Sequence, residues 1–254
     1  MKTLKFQFLP FLTLLLFMNF AMAQDKAPTM FVVHTDHVKF DKMQQYEEVA
    51  KEMRDLMEKH QIKDGYYTTL SIEDGRYVYV SPISSMADLD KNPMADLYEK
   101  VGEEKFAAMF SKMDDCYDNH HDNIVHRLDD LSYMPEGYST EGKNYREYHF
   151  LYYAPRNSAA MNKAMAGVKE MFKSKNIKNG YEVYHSGFGD DESYFMVAIS
   201  GTDAMAIAQG GKSNNELMGD EGQAALYEVI KLASKYDQVE GNMRPDLSYL
   251  PASN

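Results

Sequence analysis

Residues 130–135 read DLSYMP and residues 246–251 read DLSYLP, so one hexapeptide returns after 116 positions in a chain of 254 residues. Searching outward from it finds IKDGY at 62–66 and IKNGY at 177–181, a shift of 115. Two matches at nearly one spacing identify an internal duplication. Hydrophobic periodicity agrees. Met43, Tyr46, Ala50, Met53 and Met57 step by three and four, and the positions 115 further on are Ser158, Met161, Met165, Val168 and Phe172. One amphipathic helix is therefore written twice.

Around each helix the same order of elements repeats. A β-branched and aromatic run precedes it, MFVVHTDHV at 30–38 and EYHFLYY at 147–153. After it, Gly65 or Gly180 turns the chain into GYYTTL or GYEVYH, and a polar turn (EDG at 73–75, GDDES at 189–193) leads to RYVYVS or YFMVAI. Each pair reads as a hairpin. A second helical region follows, marked by Tyr98, Val101, Phe106, Met109 and Met113 in one half and by Leu217, Leu226, Val229, Ile230 and Ala233 in the other. A final extended segment runs into the hexapeptide, which reads as the exit of the last strand. Its Pro stops further ladder pairing and its Tyr (Tyr133, Tyr249) buries the ring while the hydroxyl stays wet. Strand, helix, strand, strand, helix, strand is the ferredoxin-like split βαβ arrangement.

The expected organisation is a leader at 1–23, a first ferredoxin-like unit at 24–135, a linker at 136–144 and a second unit at 145–254. The opening MKTLKFQFLPFLTLLLFMNFAMA has two early lysines, an apolar stretch and an Ala-Met-Ala exit, the layout of a cleavable secretory signal. That predicts a periplasmic or secreted protein with no stable membrane anchor once the leader is removed. A further stretch, AQGGKSNNELMGDEG at 208–222, reads as a polar loop.

The formal charge is −12 at pH 7, and lysines and arginines are not clustered, which makes nucleic acid and anionic membrane surfaces poor partners and predicts no nucleic-acid binding. A single cysteine, Cys116, falls on the apolar face with Phe106, Met109 and Met113 and reads as a core residue, so no intrachain disulfide framework exists. Of the 19 methionines, those at helix positions (Met43, Met53, Met57, Met109, Met113, Met161, Met165 and Met171) mostly follow the apolar faces and read as core filling.

The repeated strand, long helix, IK[DN]GY turn and hairpin resemble the dimeric α/β-barrel superfamily, which includes antibiotic-biosynthesis-type monooxygenases, NIPSNAP-like and EthD-like proteins and haem-degrading enzymes. The resemblance implies an α+β fold in which two ferredoxin-like units pair their sheets into a barrel, here as a pseudo-dimer within one chain. Superfamily members that oxidise aromatic substrates without a cofactor, or open haem, resemble one another in using a tryptophan with an asparagine and a basic or His partner. This chain has no tryptophan, so no catalytic set carries over and no catalytic residue is assigned.

Five residues are candidates for ligand binding. His34 and His149 are 115 apart and could converge in a barrel cavity to hold a metal or haem iron or to move a proton. Tyr66 and Tyr181 form a second equivalent pair, and His185 shares the face of Tyr181 by period two. The tyrosine-rich central strands suit a cavity for a planar or lipophilic ligand. DNHHDNIVH at 118–126 holds His120, His121, Asp122 and His126, but adjacent histidines in an extended segment point to opposite faces. The stretch reads as an insertion unique to the first half, and no metal site is assigned. GGKS at 210–213 lacks the first glycine and the leading strand of a phosphate loop. No cofactor is identified. The leading reading is an exported small-molecule-binding protein that holds a ligand between two sheets. The alternatives are a monooxygenase-like or haem-handling enzyme and a partner-interaction module.

Overall fold

A computed structural model of the chain describes residues 29–251. The leader expected at 1–23 lies outside the described residues. Eight strands, β1 (Met30–Val38), β2 (Thr68–Ile72), β3 (Arg76–Ile83), β4 (Tyr117–Arg127), β5 (Tyr145–Tyr152), β6 (Glu182–Ser186), β7 (Tyr194–Gly201) and β8 (Lys235–Met243), close into a barrel in the order β1-β3-β2-β8-β5-β7-β6-β4. Every neighbouring pair is antiparallel. Each half contributes four consecutive staves in the ferredoxin-like order, and the two seams are β2 with β8 and β4 with β6. Each strand's counterpart lies four places round the barrel, so the halves are related by a pseudo-two-fold along the barrel axis.

Five helices cover the outside: α1 (Met43–Lys59), α2 (Ala95–Val101) and α3 (Glu103–Asp114) over the first sheet, α4 (Ser158–Ser174) and α5 (Ala204–Ile230) over the second. The predicted stripes are the packed faces: Tyr46, Ala50, Met53 and Met57 of α1 and Met161, Met165, Val168 and Phe172 of α4 are all buried. Full burial of such side chains is worth about 1.5–3 kcal/mol each. Cys116 is buried in the first of the two cores.

Both long helices stop in the same way. Gln61 and Asn176 take left-handed φ values of 51° and 50°. The Ile62 amide then reaches back to the Met57 carbonyl at 3.0 Å and the Ile177 amide to the Phe172 carbonyl at 3.1 Å, the 6→1 bond of a Schellman stop. The isoleucine that follows each stop is fully buried.

The hexapeptide is not a strand exit. Past β4, Leu131 and Tyr133 leave their own half and enter the core of the second, while Leu247 and Tyr249 enter the core of the first. Tyr133 pairs with Tyr181, and Tyr249 with Tyr67, each through two backbone hydrogen bonds of 2.9–3.0 Å. Nor are the hydroxyls wet. Tyr133 donates to the Ile177 carbonyl at 2.8 Å and Tyr249 to the Ile62 carbonyl at 2.5 Å. DLSY and IK[DN]GY recur together because each copy of one docks on the opposite copy of the other. Gly180 belongs to this contact, since a Cβ there would lie 2.5 Å from the Tyr133 carbonyl oxygen.

Two further readings change. The stretch 208–222 is helical rather than a loop, and it spans the kink at Gly219 (φ 58°, ψ −153°) that joins the two helical segments of α5. A side-chain cap from Asp203 to the Ala206 amide at 2.8 Å starts the helix, and the polar run lies on a largely exposed surface. DNHHDNIVH is strand β4 itself rather than an insertion, paired with β1 along most of its length.

Candidate functional site

The barrel encloses a cavity of about 460 Å³ whose wall takes alternate residues from all eight strands. On β1 these are Phe31, Val33, Thr35 and His37, and on β5 they are Arg146, Tyr148, Phe150 and Tyr152. Val78, Val80, Leu70, Val125, Met196, Ala198 and Val239 make most of the remaining wall apolar. The volume lies within the ~300–1,000 Å³ usual for small-molecule sites.

Polar groups gather towards the two ends. Counterpart strands run in the same direction, so His37, the last inward residue of β1, and Arg146, the first of β5, stand at opposite ends. Near His37 are Arg76, its register partner, and His121. Asn123 is fixed by bonds to both Asp190 carboxylate oxygens at 3.0 Å and to the Tyr194 hydroxyl at 3.3 Å. At the other end the Arg146 guanidinium is held by backbone carbonyls, including that of Tyr145 at 3.2 Å, and among the described residues no carboxylate lies within ion-pair distance of it. Burial raises the Tyr148 and Tyr184 phenols above the ordinary tyrosine range, so both are neutral donors at the cavity wall.

None of the five expected site residues lines this cavity. His34 and His149 occupy equivalent places, but on the outer, helix-facing side of the sheet. His149 bonds to the Tyr236 hydroxyl and to Glu147, both at 2.7 Å. His185 also points outward, bonded to the Tyr153 hydroxyl at 2.6 Å, and burial lowers its pKa. Tyr66 is exposed whereas Tyr181 is buried. Tyr67 is the true counterpart of Tyr181, because these two pair with the exchanged arms. Sequence reasoning missed Arg146, His37 and Tyr148 and set His121 aside with the rest of DNHHDNIVH, although the parity shared by His37, His121 and Arg76 across paired strands is a signal once strand order is known.

His34 belongs to a network on the outer face. Its Nε2 lies 3.0 Å from Asp36 Oδ1 and its Nδ1 2.8 Å from Asp122 Oδ1. The Tyr46 hydroxyl donates to Asp36 Oδ2 at 2.5 Å and contacts the Tyr79 hydroxyl at 2.8 Å. Burial opposes a charge on His34, but Asp36 and then Asp122 outweigh it and raise its pKa from 6.5 to about 9. The His120 ring lies beside that of His34, with centroids 5.5 Å apart and planes tilted by 57°. The adjacent histidines do take opposite faces, His120 outward and His121 into the cavity. The three histidines expected in the site do not fit an axial haem ligand. His34, His149 and His185 each have a ring nitrogen engaged by a neighbouring side chain, and none opens onto the barrel cavity.

No protein-family model matches the chain, and no curated protein matches it. Solved structures do. An anthrone oxidase-like protein superposes with a TM-score of 0.58 at 8% identity, over 86% of this chain and 92% of its own. A candidate monooxygenase from Lactobacillus acidophilus NCFM gives 0.50 at 6% identity, over 85% and 94%. Chlorite dismutase from Candidatus Nitrospira defluvii, in complex with imidazole, gives 0.50 at 9%, over 87% and 93%. The chain has the dimeric α/β-barrel fold of these proteins, with both ferredoxin-like units in a single polypeptide.

Proposed function

We propose that the chain is an exported protein that binds a small lipophilic molecule, aromatic in part and carrying an anionic or strongly polar end, inside the barrel. The observation that carries this reading is the cavity of about 460 Å³, mostly apolar in its middle, with Arg146 at one end beyond ion-pair distance of any carboxylate among the described residues, while Glu182 of the same wall pairs with Arg127 at 3.9 Å. A guanidinium in an apolar enclosure favours a carboxylate, sulfonate or phenolate from the ligand, since charge-assisted bonds are the stronger ones. Rings from Phe150, Tyr148, Tyr184 and Phe31 suit a planar body. Export is supported by the signal-like composition of residues 1–23.

The test is a fluorescence titration of the purified protein with 1-anilinonaphthalene-8-sulfonate, a planar apolar anion. Saturable binding that Val33→Trp abolishes, with the circular dichroism spectrum retained, supports the reading. Binding that is unsaturable, or equal in the two proteins, sinks it.

A second reading draws support from the anthrone oxidase-like and monooxygenase neighbours and from two imidazoles, His37 and His121, in the cavity wall. In that reading the cavity binds an anthrone, an imidazole takes a proton from its C10 methylene, and dioxygen oxidises the resulting carbanion to the C10 ketone, its second oxygen atom leaving as water. Oxygen uptake with an anthrone, lost in His121→Ala, supports it. Uptake no faster than the uncatalysed reaction refutes it.

A further inference from the structure

The duplication supplies an internal control for the outer-face network around His34. Through strand register and the repeat, the counterparts of Asp36, Tyr46 and Tyr79 are Leu151, Met161 and Val197, and those of His120 and Asp122 are Tyr236 and Gln238. The second half thus closes the same place in the fold with apolar side chains, Leu151 and Met161 both being buried. The first half puts a carboxylate there, Asp36, only 2% exposed. Burying a carboxylate is unfavourable unless other groups satisfy it, so the fold itself does not ask for Asp36.

We propose that His34, Asp36 and His120 bind a divalent transition-metal ion. The ligand atoms of these three side chains all lie within 4.8 Å of one another. His34 Nε2 and Asp36 Oδ1, 3.0 Å apart, are separated by about the edge of a coordination shell with bonds of ~2.1 Å. Asp122 takes the Nδ1 proton of His34 at 2.8 Å, so Nε2 is the nitrogen left for the ion, which displaces the proton that Nε2 shares with Asp36. Tyr46 holds the second oxygen of Asp36, and Tyr79 holds Tyr46, so the buried ligand is oriented before the ion arrives. Two imidazoles with one carboxylate select borderline ions such as Zn²⁺, Co²⁺ or Fe²⁺ over Mg²⁺ and Ca²⁺. His120 is exposed, so the remaining coordination positions face solvent. The ion would tie β1 to β4, and only the first half would carry one.

The experiment is isothermal titration of the purified, EDTA-treated protein with ZnCl₂, with MgCl₂ as comparison, and a visible spectrum of the Co²⁺ form. The expected result is one Zn²⁺ per chain and no Mg²⁺ heat. His120→Ala, at an exposed position, should weaken Zn²⁺ binding by about tenfold or more. Asp36→Asn should do the same with the circular dichroism spectrum unchanged, and His126→Ala, outside the cluster, should bind as the parent does. Absence of saturable Zn²⁺ uptake overturns the proposal, and so does equal affinity in the parent and His120→Ala.

Discussion

The Tyr249 hydroxyl donates to the Ile62 carbonyl at 2.5 Å across 187 residues of sequence. The same bond joins Tyr133 to Ile177 at 2.8 Å, so each half is latched by the tail of the other. Tyr249→Phe leaves a buried carbonyl without its donor, which should cost about 1–3 kcal/mol of stability. Urea denaturation checks this. A loss below about 0.5 kcal/mol would assign the latch to the backbone pair with Tyr67 alone.

The same tail carries a titrating contact. Arg244 forms ion pairs with Glu47 of α1 and with Asp246, and Tyr77 donates to Glu47 at 2.5 Å. Arg244 lowers the Glu47 pKa first, with Tyr77 adding to it, and Arg244 lowers that of Asp246. Both carboxylates are depressed on folding, so their stabilisation is full above the ordinary carboxylate range and is lost as pH falls through the depressed values. Urea midpoints should fall between pH 5 and pH 3, and Arg244→Gln should flatten that slope. An unchanged slope would remove these groups from the acid response.

Converting the first-half network into its second-half counterpart, by Asp36→Leu with Tyr46→Met, should leave stability unchanged or raise it by about 1–4 kcal/mol, as replacement of buried ionic groups by apolar ones often does. Asp36→Leu alone would leave the Tyr46 hydroxyl with only Tyr79 and should gain less. A double variant that unfolds would show that the network is structural.

Arg146→Gln should weaken 1-anilinonaphthalene-8-sulfonate by about tenfold, in line with the ~1.5–3 kcal/mol of a charged hydrogen bond. The neutral N-phenyl-1-naphthylamine should bind both proteins alike. Equal losses for the two dyes would instead mean that the substitution deformed the cavity.

The duplication, the order of elements and the buried helix stripes were readable because local periodicity carries them. The inward face of the strands was not. On β1 the outward set Val32, His34, Asp36, Val38 and the inward set Phe31, Val33, Thr35, His37 are equally mixed, because a barrel under helices covers both faces of its sheet. For that reason the sequence offers His34 and His149 as candidates for the cavity and gives no sign of His37 and Arg146. The α5 stretch at 208–222 lacks apolar spacing and is rich in glycine, so it looked like a loop. The outer cluster draws on β1 and β4, more than 80 residues apart, and no spacing within either strand records their meeting.

The exchanged arms also constrain how the chain can be made. The core beneath α1 lacks Leu247 and Tyr249 until the second half has been made, so the first half cannot complete its fold ahead of the second. A nascent chain with this topology stays open until both halves exist, then closes through contacts of long sequence separation, the slow class of folding event. Under the proposed export, a chain that threads a translocation pore unfolded would gain time from such a delay.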